Sequence, residues 1–187
     1  MLITILFIIS LIKLYKFINK EIIKLMAVYT KVNFAEAHEF LEKYYSIEDL
    51  EELIEIPQGV ENTNYIIKTK NKKFILTIFE KRVQKKDLPF FMNLMDKLGK
   101  YKINCPKPQR NKKGSFLIKI KNKTGSIVSF VEGKDKLKLN PKNCYEIGKN
   151  IARFHKASKK IKLHRRNSLS LKEWPKLLNK IGNKSKI

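Results

Sequence analysis

The chain has 187 residues, enough for one full domain or two small ones, and its 43% hydrophobic and 10% aromatic content excludes an intrinsically disordered protein. Its net charge of +24 points to a nucleic-acid or membrane partner, but only five of its 41 basic residues are arginines, which nucleic-acid sites favour. A solvated lysine surface is the simpler interpretation. From Lys97 onward, 27 basic residues stand against four acidic ones. This imbalance leaves two explanations open, a basic face or a chain whose acidic complement lies elsewhere.

The first 25 residues differ in character from the rest of the chain. An apolar run from Leu2 to Ile12 is followed by lysines, and it is shorter than the about 20 residues that a membrane-spanning helix needs. It also lacks the basic start and the small-residue cleavage site of a signal peptide. We interpret residues 1–25 as upstream translation or an artefact, with Met26 as the natural start. A membrane anchor is the alternative.

The next segment predicts one helix and three strands. Asn33 followed by Glu36 is the pattern of a capping box, and the apolar spacing after it predicts a helix over residues 34–45. An acidic stretch then leads into a short apolar run ending at residue 56, which predicts the first strand. Two β-branched and aromatic runs, residues 65–69 and 74–79, are joined by KNKK and predict a hairpin.

The remaining pattern adds helix, strand, strand and helix. Asp87 and Pro89 predict the capped start of a helix, the CPKP segment is expected to be extended, strands are predicted over residues 115–120 and 126–131, and Pro141 opens the last helix. The side chains predicted to face inward on these two helices are Phe91, Leu94, Met95, Leu98, Cys144, Ile147, Ile151 and Phe154. The predicted fold class is therefore α+β, a five-stranded antiparallel sheet with one inserted helix, and not a doubly wound parallel sheet.

Several motifs of nucleotide and hydrolase sites are absent from the sequence, namely GxxxxGK[ST], GxGxxG and GxSxG. The two cysteines and three histidines share no metal-ligand spacing, which predicts free thiols in a reducing compartment and no zinc site. The remaining candidate is the GVENTN segment, where Gly59 lets the backbone bend. Its polar residues Asn62, Thr63 and Asn64 offer donors or left-handed turns suited to phosphate. An ordinary polar hairpin has the same composition.

Seven fragments occur in the order known from one family. From residue 26 to about residue 174, the chain resembles the amino-terminal part of the aminoglycoside-phosphotransferase-like kinases and, within them, the homoserine kinases. The fragments are MAVYTKVNFAEAHEFL, GVENTNYII, FILTIFEKRVQKKDLPFFMNLMDKL, CPKP, VSFVEG, IGKNIARFH and RRNSLSLKEW.

The resemblance implies a two-lobed, protein-kinase-like fold in a cytoplasmic enzyme. ATP with Mg²⁺ would bind between the lobes, and the γ-phosphate would pass to the hydroxyl of L-homoserine, a step of threonine biosynthesis. Residues 26–133 would form the nucleotide-binding lobe and hinge, and residues 134–187 the start of the helical lobe. His155 would be a packing or capping residue. The residues that the resemblance places at ATP are Gly59, Asn62, Thr63 and Asn64 over the phosphates, and Ser129 and the Val131 backbone at the hinge.

Two departures from the family pattern matter. The third-strand lysine that holds phosphates in protein kinases falls on Thr77, so Lys81 or Arg82 would replace it or the contact is lost. The helix that follows has only Asp87 near its start to pair with such a lysine. The catalytic H-x-D-x-x-x-x-N loop is also absent, and no aspartate follows Asp135.

We therefore expect a truncated chain that carries no catalytic residue and no metal ligand, and that has no kinase activity alone. As a kinase it would bind ATP and a small substrate and no nucleic acid, and a membrane only if residues 1–25 are an anchor. The alternative is a basic protein that binds nucleic acid or an anionic membrane without catalysis.

Overall fold

The computed structural model describes residues 28–57, 61–80, 83–134, 136, 138–168 and 170–182. The N-terminal prediction for residues 1–25 lies outside these residues. Short 3₁₀ turns, Lys85–Asp87 and Leu171–Glu173, precede the second and fourth helices. The helices and strands are, in chain order, α1 (Phe34–Tyr44), β1 (Leu50–Ile56), β2 (Asn62–Thr69), β3 (Lys73–Phe79), α2 (Leu88–Lys100), β4 (Leu117–Ile120), β5 (Lys123–Ser129), α3 (Pro141–Ser158) and α4 (Trp174–Ile181).

The five strands form one antiparallel sheet with the order β1-β2-β3-β5-β4. The first three strands follow one another as a meander. Helix α2 occupies the connection from β3 to β4, and β5 then returns between these two strands. This architecture confirms the predicted α+β class and the inserted helix.

Helix α1 begins as its sequence predicts. The Asn33 side chain accepts a hydrogen bond from the Glu36 N–H (2.8 Å), and the Glu36 carboxylate accepts one from the Asn33 N–H (2.9 Å), which completes a capping box. Since Ala37, Phe40 and Leu41 are buried, α1 covers one face of the sheet with an apolar stripe. The buried sheet residues of the same core are Tyr65, Ile67, Phe74, Leu76, Ile78, Ile118, Ile120 and Ile127.

Two strand boundaries differ from the prediction. Asn62, Thr63 and Asn64 were predicted as loop residues, but they are the first three residues of β2, where they pair with the end of β3. Strand β5 covers Lys123–Ser129 instead of residues 126–131. The reason is the tight turn at Lys121 and Asn122, whose φ angles of 44° and 64° close a two-residue hairpin between β4 and β5.

The predicted inner face of α2 is shifted. The helix buries Leu88, Met92 and Leu98, whereas Phe91, predicted to face inward, is 36% exposed. Leu98 belongs to a second, smaller apolar cluster that also contains Ala157 near the end of α3 and Ile161 after it. The C-terminal end of α3 is therefore attached to α2.

The rest of α3 carries an exposed apolar stripe, defined by Ile147, Ile151 and Phe154. These side chains are 47%, 50% and 37% exposed, and Cys144 on the same helix is an exposed free thiol, so the prediction that they face inward is wrong. Helical spacing identifies an apolar face, but burial requires a partner element. A groove of about 660 Å³ runs along the stripe, and Leu139 also lines it. Within the described part of the chain, no helix is long and apolar enough to span a membrane.

Candidate functional site

The predicted ATP-site residues fall into three groups. Gly59, Lys81 and Arg82 lie outside the residues that the structure describes. The polar residues after the loop lie at the start of β2, and the predicted hinge begins at the end of β5. The sheet therefore places the loop side at one end of β3 and the hinge side at the other, since Phe79 pairs with Asn62 and Phe74 pairs with Ser129.

Alternation along β2 separates the three polar residues that were predicted to act together. Thr63 is fully buried and shares the core face with Tyr65. Asn62 and Asn64 are half-buried and point to the opposite face of the sheet. We call this face, which α1 does not cover, the open face. Of these residues, only the two asparagines are therefore placed to meet a ligand on the open face.

A polar row crosses this face of the sheet at Thr77, the residue predicted at the position of the kinase lysine. It consists of Asn64, Thr77 and Ser126, which face one another on β2, β3 and β5. The Thr77 hydroxyl donates to the Asn64 side-chain oxygen (2.8 Å). The Ser126 hydroxyl is buried and has no hydrogen-bond partner among the described residues. Thr77 is therefore more than a strand residue, because it fixes which way the Asn64 amide faces. Polar residues at facing positions of otherwise apolar strands were the sequence signal for this row.

The two residues predicted at the hinge, Ser129 and Val131, have different environments. The Ser129 hydroxyl accepts a hydrogen bond from the Lys107 N–H (2.9 Å), and the Ser129 N–H donates to the Lys107 carbonyl (2.9 Å). Ser129 thus holds the segment before β4 against the sheet. Val131 is 38% exposed, and its backbone forms no hydrogen bond to another described residue. Of the two residues predicted at the hinge, Val131 is therefore the one whose backbone has no hydrogen-bond partner in the described part of the chain.

A buried carboxylate that sequence reasoning missed lies beside the loop. Glu80 directly follows β3, and its side chain is only 7% exposed. It accepts hydrogen bonds from the Thr30 hydroxyl (2.7 Å) and the Thr63 hydroxyl (2.8 Å) and forms an ion pair with Lys123. The signal was available, because a period of two along β3 places Glu80 on the same face as the buried Ile78.

Asp87 does not have the predicted role at the start of α2. It occupies the N-cap position, but its side chain forms no capping hydrogen bond. Its carboxylate instead contacts the Arg165 guanidinium at 2.8 Å, and the guanidinium lies 5.1 Å from the centre of the Phe91 ring. The segment after α3 is thereby tied back to α2. Among the described residues, no three His, Cys, Asp or Glu side chains lie close enough together to hold a metal ion.

The sequence profile of the phosphotransferase enzyme family (APH) matches residues 52–182, more than half of the chain. The chain belongs to that family. It is 40% identical over 154 residues to the homoserine kinase of Parvibaculum lavamentivorans, covering 82% of this chain and 48% of that protein. It is 38% identical over 163 residues to the homoserine kinase of Bradyrhizobium diazoefficiens, covering 86% of this chain and 49% of that protein. This member of the family thus spans about half the length of the curated relatives that it matches.

Solved structures support the same fold. Spectinomycin phosphotransferase APH(9)-Ia, crystallised with ADP and spectinomycin, superposes with a TM-score of 0.60 at 15% identity, covering 84% of this chain and 49% of that chain. The amicoumacin kinase hAmiN, in complex with AMP-PNP and Ca²⁺, gives a TM-score of 0.60 at 15% identity, covering 79% and 48%. The sheet with its inserted helix is therefore the sheet of the kinase-like fold of this family.

Proposed function

We propose that this chain carries the nucleotide-binding part of an ATP-dependent kinase that phosphorylates the hydroxyl of L-homoserine. The observation that carries the proposal is 38–40% identity to homoserine kinases over more than 80% of the chain. In this reaction the hydroxyl oxygen bonds to the γ-phosphorus, the bond from that phosphorus to the β,γ-bridging oxygen breaks, and ADP leaves. The hydroxyl proton passes to a base. We place the enzyme in the cytoplasm, in keeping with its free thiols at Cys105 and Cys144.

The open face of the sheet supports a nucleotide site built on neutral donors. ATP supplies the transferable phosphoryl group, with Mg²⁺ to neutralise its charge. The Asn64 side-chain oxygen accepts from the Thr77 hydroxyl, and one N–H of its amide donates to the Asn62 carbonyl (3.4 Å), so the second amide N–H is the donor that we assign to a phosphate oxygen. The free backbone of Val131 would hold the adenine. A neutral amide attracts phosphate less strongly than a lysine does, so we also propose that Lys81 or Arg82 contributes charge.

The chain alone should bind nucleotide without transferring phosphate. Its sequence contains no H-x-D-x-x-x-x-N segment to supply the base and a metal ligand. We propose that residues 26–133 are the nucleotide-binding lobe and hinge, and that residues 134–187 begin the helical lobe. The exposed apolar stripe of α3 is in keeping with this division, because a helix of a kinase lobe would bury such a stripe against further helices.

Titration calorimetry of the 187-residue chain with ATP tests the nucleotide site. The Thr77→Val variant, which lacks the hydroxyl that orients Asn64, should bind ATP about three- to tenfold more weakly, as expected for the loss of one hydrogen bond. Thr77→Ser is the matched control and should bind like wild type. If wild type binds no ATP, or if both variants behave alike, the proposed site is wrong.

A reconstitution experiment tests the reaction. The chain is mixed with the separately produced C-terminal half of the Parvibaculum lavamentivorans homoserine kinase, and ADP release is followed with L-homoserine or L-serine. We expect no release from the chain alone and homoserine-dependent release from the mixture. Release by the chain alone contradicts the predicted inactivity, and equal rates with both amino acids contradict the substrate assignment.

A basic groove favours a second candidate function, the binding of single-stranded nucleic acid. Its volume is about 330 Å³, and four cationic side chains and Tyr101 line it. Four neutralised phosphates predict a slope of about −3 for the logarithm of affinity against the logarithm of salt concentration. Fluorescence anisotropy with a labelled RNA measures this slope, and absence of binding at low salt rejects the candidate. The cations are Lys102, Arg153, Lys156 and Lys160.

A further inference from the structure

We propose that Glu80 is a positioning residue that fixes the phosphate side of the nucleotide site through a buried clamp. The clamp is defined as Glu80, Thr30, Thr63 and Lys123. The inference rests on the proposed ATP site, and it adds residues that never need to touch the nucleotide.

The carboxylate is held from three directions. One oxygen accepts from the hydroxyls of Thr30 (2.7 Å) and Thr63 (2.8 Å), and the other contacts the Lys123 ammonium. Lys123 also donates to the Thr30 hydroxyl (2.7 Å). A carboxylate that is 7% exposed is unfavourable unless its charge is compensated, and these partners provide that compensation. Burial raises the pKa of Glu80, but hydrogen bonds from Lys123, Thr30 and Thr63 and the Lys123 charge bring it below its ordinary value.

Thr63 joins the clamp to the chain before α1. Its hydroxyl oxygen accepts hydrogen bonds from the backbone N–H groups of Tyr29 (3.0 Å) and Thr30 (3.1 Å) while it donates to Glu80. The hydroxyl therefore uses its one donor and both acceptor positions. A valine at this position would keep the shape and lose all three contacts.

The clamp lies where the two phosphate-side segments begin. Asn62 and Thr63 directly follow the loop between β1 and β2, and Glu80 directly precedes Lys81 and Arg82. Glu80 fixes both strand ends, because its backbone N–H also donates to the Asn62 side-chain oxygen (3.4 Å). Loss of the clamp should therefore loosen the loop and the residues after β3 together.

The hinge lies at the far end of the same strands, where Phe74 pairs with Ser129. Contacts to adenine at the hinge should therefore remain when the clamp is broken. This geometry predicts a split, in which recognition of the phosphates weakens and recognition of the nucleoside does not. A purely structural role for Glu80 would weaken both.

The test compares ATP with adenosine by titration calorimetry on the full chain. Glu80→Gln and Thr63→Val should each weaken ATP binding about tenfold, the loss expected for a hydrogen bond to a charged group, and leave adenosine binding unchanged within about twofold. Thr63→Ser keeps the hydroxyl and should bind like wild type. The matched control is Glu52→Gln, which removes the half-exposed pair with Lys68 on the same sheet.

Equal loss of ATP and adenosine binding, or no loss of either, overturns the proposal. If wild type binds neither ligand, the proposed function itself fails, and amide hydrogen exchange at residues 61–64 then decides on the clamp. Faster exchange in Glu80→Gln than in Glu52→Gln supports the clamp, and equal exchange refutes it. If Glu80→Gln does not fold, the pair of Thr63 variants gives the answer.

Discussion

The same substitution at two buried tyrosines should lower the stability of the fold at one position and not at the other. Tyr65 is 1% exposed, and its hydroxyl accepts from the Val32 N–H (3.0 Å) and donates to the Thr30 carbonyl (3.1 Å). Tyr45 is 3% exposed, but its hydroxyl has no hydrogen-bond partner among the described residues. Tyr65→Phe leaves two buried backbone groups unpaired, whereas Tyr45→Phe removes a buried group that is already unpaired.

The magnitudes follow from the cost of an unsatisfied buried group, about 1–3 kcal/mol. Tyr65→Phe should lower the free energy of unfolding by about 2 kcal/mol, and Tyr45→Phe should leave it unchanged or raise it by about 1 kcal/mol. For a chain of this size, the loss corresponds to a Tm about 4–8 °C lower. Urea denaturation followed by circular dichroism, with thermal melting beside it, measures both variants. A loss at Tyr45 as large as that at Tyr65 would refute the reasoning.

Three further outcomes are expected from the same assays. Because the folded-state pKa of Glu80 is lowered, its ionised form stabilises the fold above the ordinary glutamate pKa of about 4.3, and this stabilisation is lost as the pH falls through the lower folded value. In wild type, the urea midpoint should decrease as the pH falls below about 4.3, and in Glu80→Gln this decrease should be smaller. An equal decrease in both proteins would contradict the role of Glu80. Gly125→Ala should cost about 1–2 kcal/mol, because its Cβ would lie 3.2 Å from the backbone carbonyl oxygen of Thr77, which cannot move aside, and 3.0 Å from the Ile120 Cδ1 atom. Gly148→Ala, in open space within α3, should stabilise by up to about 1 kcal/mol; equal changes in the free energy of unfolding would contradict the role assigned to these contacts. Ile151→Glu should change the stability of the chain by less than about 0.5 kcal/mol, since the side chain is 50% exposed, and a large loss in urea would show that the stripe is already covered.

How much of the structure the sequence predicts depends on how local each determinant is. The start of α1 follows from Asn33 and Glu36, which lie within one helical turn, and it was predicted correctly. The end of the β4–β5 hairpin was missed because Lys121 and Asn122 adopt positive φ without a glycine to signal it. Side-chain placement on α3 was wrong because periodicity does not reveal whether a second element covers an apolar face.

The candidate site was harder to predict from the sequence than the fold, because its contacts join residues that lie far apart in the chain. The clamp joins residues as far apart in the chain as Thr30 and Lys123, which are 93 positions apart. The residues next to Glu80 in the sequence do not indicate that Thr30, Thr63 and Lys123 are its partners. The family resemblance predicts where the loop and the hinge lie, but the sheet register decided that Thr63 points to the core and Asn64 to the open face.

Strand β1 is one of the two edge strands of the described sheet, and its composition affects how copies of the chain meet. Among the described residues it pairs only with β2, and the backbone groups of an edge strand can extend a sheet into another molecule. Glu51, Glu52 and Glu55 are exposed along this short strand. Two such edges brought side by side would place like charges opposite one another. In a chain otherwise dominated by lysine, this acidic edge protects against edge-to-edge aggregation at neutral pH.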